Sequence, residues 1–299
     1  MPNILVTGGL GFVGSHLVDY LVEDESNNIV VIDDLSSESS NIEYQNARVQ
    51  YAIQDIRKIN EPGLSASLLS MGGGTFHTVY HLAARARIQP SFKNPTEYFD
   101  IDARGTCEVL EFARKNSAVL IYAGSSSAYG GPKLNPYAFS KYVGEELCLM
   151  YQNVYNMPTR VARFFNVYGV RQPTSGPYAT VVGIFEGQTL AGQTLTVTGN
   201  GDQRRDFTHV SDIVKGLVAL SSPSAAGNDV YNLGTGRNYS INELAACYGG
   251  QVLFTPKRPG EAWITLADPS LAKERTGWFP KVVLEDYIRR WKDSNVLNK

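Results

Sequence analysis

Cysteine is nearly missing: Cys107, Cys148 and Cys247 are the three thiols of a 299-residue chain, and none forms a CxxC pair. That excludes a disulfide framework or a cysteine-rich zinc site and predicts thiols buried in a reducing compartment. The four histidines, His16, His77, His81 and His209, show no HxxxH or HxxEH spacing, so no metal centre is expected. No stretch approaches the roughly 18 apolar residues of a membrane span. Met1 leads straight into Ile4–Val6 without a basic n-region or cleavage site, which predicts a cytoplasmic protein. One-signed charge is lacking too: the net charge is -2, interspersed without a block of like charges, so no nucleic-acid or anionic-membrane partner is expected. Internal repeats are absent, and low complexity is confined to Ser36–Ser40 and Gly72–Gly74, both predicted loops.

What is present is a core-forming composition, 43% hydrophobic and 19% charged, that excludes a disordered or fibrous chain. Short β-rich runs alternate with helix-period segments through the first half, as in βαβ units around a parallel sheet. The strands read as 3–7, 29–33, 49–55, 78–83, 119–123 and 160–165, and Val13, Leu17 and Leu21 mark one face of the first helix. After Asn166 the alternation loosens around Pro173, Gly176 and Pro177, with shorter strands at 230–233 and 252–255. The predicted fold is α/β: a Rossmann-type doubly wound parallel sheet over residues 1–166, then a smaller C-terminal substrate-binding domain over 167–299, some of whose segments return to the first domain.

The first strand runs into Gly8-Gly9-Leu10-Gly11-Phe12-Val13-Gly14, placing glycines 8, 11 and 14 between a strand and a helix. A tight turn, close approach of backbone to a pyrophosphate and free N–H groups at the helix start all call for glycine there. The second strand ends at Asp33, 25 residues beyond Gly8, where a carboxylate can accept from an adenosine ribose. Asp34 follows it, so a 2′-phosphate would meet two carboxylates and no arginine; the expected cofactor is NAD.

Tyr137 and Lys141 stand four apart in a segment with helical character and a proline in its first turn, so phenol and ammonium share a face. A free tyrosine has a pKa of about 10, and ionising it near neutrality requires roughly 4 kcal/mol of stabilisation. A lysine and a nicotinamide cation could supply it. The fifth strand ends in Gly124-Ser125-Ser126-Ser127, delivering hydroxyls to the carboxyl edge of the sheet, where ligands of open α/β sheets bind.

The GxxGxxG spacing, Asp55-Ile56 after the third strand, His81-Leu82-Ala83-Ala84 after the fourth and the Tyr137–Lys141 pair together resemble the extended short-chain dehydrogenase/reductases, over residues 3 to about 268. The resemblance implies that Asp55 and Ile56 lie at the adenine and that Leu82, Ala83 and Ala84 lie along the cofactor. It makes Ser125 the catalytic serine, with Ser126 beside the substrate. Asn166, in Arg163-Phe164-Phe165-Asn166, is implied to contact a nucleotide sugar. Arg205 and Arg258 are implied to grip its diphosphate, for which paired guanidinium donors suit.

Within that resemblance, 4,6-dehydratases carry Asp-Glu after the catalytic residue and decarboxylases carry a glutamate, where this chain has Ser126 and Ser127. The implied reaction is therefore epimerisation of a UDP-hexose at C4, with dehydration, decarboxylation or a non-catalytic NAD-binding sensor as alternatives. Thr265, seven residues after Arg258, is implied to face the C2 substituent and to admit an N-acetyl group unless Trp263 or the shortened loop after Tyr129 refills the space. The motif asparagine before Gly105-Thr106 is replaced by Asp102. The resemblance also implies a homodimer, for which Phe99, Val109, Phe112, Val143, Leu147 and Met150 are candidate contacts, the alternative being that they pack on the chain's own sheet.

Overall fold

The sheet's centre is β1, Asn3–Thr7, whose Ile4, Leu5 and Val6 are all buried, as a parallel strand covered on both faces requires. The computed structural model describes residues 2–37, 40–225 and 229–295; Glu38 and Ser39 of the predicted Ser36–Ser40 loop lie outside the described residues. The other strands are β2 (Asn28–Asp33), β3 (Gln50–Ile53), β4 (Thr78–His81), β5 (Val119–Ser125), β6 (Thr159–Phe164), β7 (Val167–Tyr168), β8 (Leu195–Thr198), β9 (Arg204–Asp206), β10 (Thr208–His209), β11 (Val230–Leu233), β12 (Asn238–Ser240) and β13 (Val252–Thr255). The helices are α1 (Phe12–Leu21), α2 (Pro62–Met71), α3 (Ile88–Lys93), α4 (Pro95–Tyr98), α5 (Gly105–Lys115), α6 (Pro136–Tyr155), α7 (Val181–Leu190), α8 (Val210–Leu220), α9 (Ile241–Tyr248), α10 (Ser270–Thr276) and α11 (Leu284–Asn295).

Seven parallel strands form the main sheet in the order β11-β6-β5-β4-β1-β2-β3, the doubly wound arrangement expected. Alternation along β1 sends Ile4 and Val6 to one face, with Leu17, Leu21, Ile213 and Leu217 of α1 and α8, and Leu5 to the other, with Val109, Phe112, Cys148 and Tyr151 of α5 and α6. Val109 and Phe112 are thus committed to the chain's own core, the second of the two coverings expected for them, which removes them from the candidate subunit contacts; Phe99 and Met150 remain exposed. The thiols also divide, since Cys148 is buried while Cys107 and Cys247 are half-buried.

The run 230–233, expected in the smaller domain, is instead the edge strand of the main sheet, with Leu233 opposite Phe164. The long connection between β6 and β11 hides this, because a parallel strand can join any edge its connection reaches. A separate cluster of Tyr168, Phe185, Val197, Phe207, Leu244, Tyr248 and Ile288 forms the core of the smaller body, around α7, α9, α11 and the paired strands β8 and β13. No helix among the described residues is long and apolar enough to cross a membrane.

Candidate active site

A cleft of about 460 Å³ opens along the carboxyl ends of the sheet strands and is lined by both bodies. At one end, Gly8 has φ +71° and a side chain there would come within 2.7 Å of the Ala83 nitrogen, while a methyl at Gly14 would overlap the Gly8 carbonyl. Both positions therefore require glycine. Gly11 caps α1 without any side-chain acceptor, so the first N–H groups of the helix face the cleft beside Phe12 and Val13.

Asp33 ends β2 almost fully buried and accepts from Leu10 N (3.0 Å) and Leu35 N (2.9 Å). Burial pushes its carboxyl up, and those two N–H donors oppose the rise. Asp34 is exposed at the rim and accepts from Ser36 N. The expectation that no arginine stands here needs correction: Arg85, from the loop after β4, donates to the Ser36 carbonyl (2.7 Å), its charge paired with Glu97 (2.6 Å). Asp55, Ile56, Leu82, Ala83 and Ala84 line the same end, with Asp55 ion-paired to Arg57.

At the other end, β5 runs two residues further than predicted and closes on Ser125, whose Oγ accepts from Ser127 N and from the Tyr137 hydroxyl, each at 3.2 Å. Asn135 caps α6 by accepting from Ala138 N (2.7 Å), and Pro136 occupies the first helical position, which sets Tyr137 at the mouth. One turn on, Lys141 is buried with its ammonium 4.3 Å from the Tyr122 ring centroid and no hydrogen-bond acceptor among the described residues. Burial raises the Tyr137 phenol, opposed by the Ser125 bond and the Arg87 charge. Burial likewise lowers Lys141, opposed by Asp102 and Glu145. The surroundings thus add to the cost of ionising the phenol, which a bound cation must offset.

The smaller body supplies the remaining wall. Asn166, at φ +23°, donates to the Asp206 carbonyl (3.0 Å) and to Thr265 Oγ1 (3.3 Å), so Thr265 is held inward and nearly buried. Trp263 is half-exposed, with the Lys257 ammonium over its ring at 5.6 Å, and stands outside the cleft wall rather than refilling it. Arg205 is half-buried and donates to the carbonyls of Arg204 (2.9 Å) and Trp263 (3.3 Å), with Glu261 as counter-ion at 3.6 Å. Arg258 is exposed on the rim. Ser126 faces the cleft, and Ser127 Oγ is buried there without a partner.

Sequence reasoning missed three groups. Glu145, one further turn along α6, is buried, binds Arg163 (3.0 and 2.6 Å) and lies 3.4 Å from Ser125 N, where it braces the end of β5. Its i+4 spacing from Lys141 was the available signal. Asp102 sits in a π-helical stretch, Phe99–Arg104, and accepts from Arg85 N and Ser140 Oγ, both at 2.7 Å. Burial pushes it up to about 6, with Lys141 opposing. Arg87 reaches the cleft from the loop after β4, and nothing in its local sequence marks it. Among the described residues no cluster of metal-ligating side chains occurs.

Comparison with known proteins agrees with this geometry. A putative UDP-glucose 4-epimerase of Methanocaldococcus jannaschii is 34% identical over 98% of this chain and 99% of its own length. UDP-glucuronic acid decarboxylase 1 of Xenopus tropicalis is 31% identical over 96% of this chain and 70% of its own. Among solved structures, UDP-glucose 4-epimerase of Thermotoga maritima with UDP-glucose superposes with a TM-score of 0.87 at 31% identity, covering 96% of each chain. UDP-glucuronic acid 4-epimerase of Bacillus cereus, in complex with UDP-glucuronic acid and NAD, gives 0.86 at 28% identity, covering 99% of each. The family model described as GDP-mannose 4,6 dehydratase matches residues 5–291, and the chain belongs to that NAD-dependent epimerase/dehydratase family.

Proposed function

We propose that this chain is an NAD-dependent nucleotide-sugar 4-epimerase acting on UDP-hexoses, including the N-acetyl forms. The observation that carries the reading is the Ser125–Tyr137–Lys141 constellation standing beside Ser126 and Ser127, hydroxyls where elimination or decarboxylation calls for a carboxylate of working pKa.

The residues present fit NAD. The uncapped start of α1 offers N–H groups to a pyrophosphate, Gly8 and Gly14 allow the tight packing of the turn that leads into that helix, and Asp33 stands at the end of β2 for the adenosine ribose. The acceptor-free ammonium of Lys141 suits the hydroxyls of the second ribose. When bound, NAD supplies a hydride acceptor that can return the hydride.

Tyr137 takes the proton from O4 and later gives it back, while Ser125, hydrogen-bonded to the phenol, holds the same oxygen. Lys141 holds positive charge within one helical turn of the phenol and favours its ionised form. Arg205 and Arg258 hold the diphosphate while the sugar turns over between the two transfers. Glu261 keeps Arg205 neutralised and oriented until that anion arrives. Incubation of the purified protein with NAD and UDP-glucose, UDP-galactose or their N-acetyl forms should yield the C4 epimers. A 4-keto-6-deoxy sugar as the product, or no turnover of any of the four, overturns the reading.

A further inference from the structure

The cation beside Tyr137 has no role in that account. Arg87 lines the cleft, and among the described residues its one hydrogen bond runs from Nε to the Tyr178 carbonyl (2.8 Å). No carboxylate among the described residues pairs with its guanidinium. The ionisable groups that face it are the phenols of Tyr137 and Tyr98, which places its charge at the reacting end. Arg205, by contrast, carries its own counter-ion in Glu261.

The backbone is shaped to put it there. Arg87 has φ +85°, a conformation that a side-chain-bearing residue adopts at a cost of about 1–3 kcal/mol and that persists only where surroundings enforce it. The enforcement comes from the Tyr98 hydroxyl, 2.7 Å from the Ala86 carbonyl and 3.0 Å from that of Arg87. An enclosed guanidinium without an anion is costly, and a planar carboxylate meets its paired donors bidentately. Ser127 Oγ, buried and unpartnered on the same cleft, offers a further donor.

We propose that Arg87 binds a carboxylate carried by the sugar, so that the preferred substrate is a nucleotide-linked hexuronic acid. This rests on the nucleotide-sugar reading above and narrows it. The chemistry gives the ion pair a second use: oxidation at C4 places a ketone β to a C6 carboxylate, and an arginine that holds the carboxylate charge opposes the loss of carbon dioxide.

The test is titration calorimetry of the NAD-loaded protein with UDP, UDP-glucose and UDP-glucuronic acid. The parent should bind UDP-glucuronic acid at least about 10-fold more tightly than UDP-glucose, the range expected of charge-assisted bonds. Arg87→Gly should abolish that ratio and leave NAD content unchanged; glycine suits φ +85°, so the backbone is relieved rather than disturbed. Arg87→Lys should keep part of the ratio. A parent that binds UDP-glucose as tightly as UDP-glucuronic acid overturns the proposal. So does an Arg87→Gly variant that loses UDP itself as strongly as UDP-glucuronic acid, which would assign the arginine to the diphosphate. If the binding ratio holds while UDP-glucuronic acid yields a pentose, the carboxylate site stands and the epimerase reading falls.

Discussion

Replacing Asp102 by asparagine should make the protein more stable at neutral pH, although the change removes a buried, fully hydrogen-bonded carboxylate. Asp102 is 1% exposed, and burial raises it from the ordinary 3.8 to about 6. The folded state thus holds this proton more tightly than the unfolded state does. Stability is undiminished below pH 3.8, falls as pH rises through the interval, and carries the whole penalty above pH 6. At about 1.4 kcal/mol per pKa step the penalty is at most roughly 3 kcal/mol. Asparagine carries none of it. Its amide oxygen can still accept from Arg85 N, and Ser140 Oγ, already 3.0 Å from the Tyr137 carbonyl, can donate there and accept from the new amide. Urea unfolding of parent and Asp102→Asn at pH 4.5 and 7.5, at one NAD concentration, should show the variant gaining about 1–3 kcal/mol on the parent between the two. Taking the difference cancels Glu186, which burial raises to about 7, and His209, which burial lowers to about 4, since both titrate in either protein. A variant whose stability tracks the parent's at both pH values would refute the reasoning.

Three further outcomes follow from the site. Tyr137→Phe should retain fold and NAD while steady-state turnover drops at least ~100-fold, as loss of a general base implies; activity within a few-fold of the parent removes Tyr137 from that role. Thr265→Tyr should lower kcat/KM for the N-acetyl sugars far more than for UDP-glucose, because the threonine is nearly buried and a ring must take its space from the cleft. Equal losses for both sugars would show that Thr265 does not face C2. Gly14→Ala should abolish NAD retention in a fluorescence titration, since the added methyl meets the Gly8 carbonyl that closes the turn; unchanged affinity would mean that the turn yields.

Much of the architecture is legible in the residues because it is local. The run 3–7 is apolar at three successive positions and becomes β1 with the boundaries expected, and Pro136 starts α6 where a first-turn proline should. The glycine turn and the Tyr137–Lys141 pair carry their spacing with them. What escaped depends on tertiary neighbours. Residues 230–233 read correctly as a strand, yet their place beside β6 depends on a crossover invisible to local pattern. Val109 and Phe112 read as one apolar stripe whichever surface covers it, so periodicity alone did not say that the sheet does. Arg87 is legible only once the chain is bent, because its significance is an absent counter-ion in three dimensions rather than a motif.

The late arrival of β11 has a consequence for biogenesis. Its partner β6 ends at Phe164, and the strand that covers it begins at Val230, so a nascent chain presents β6 as an open edge while the intervening residues are still being synthesised. Unpaired parallel edges are templates for other chains, and non-local closures are slow. The interval between translation of β6 and of β11 is therefore the stage at which this protein most needs dilution or a chaperone, and truncations ending inside it should partition into aggregates while the full chain does not.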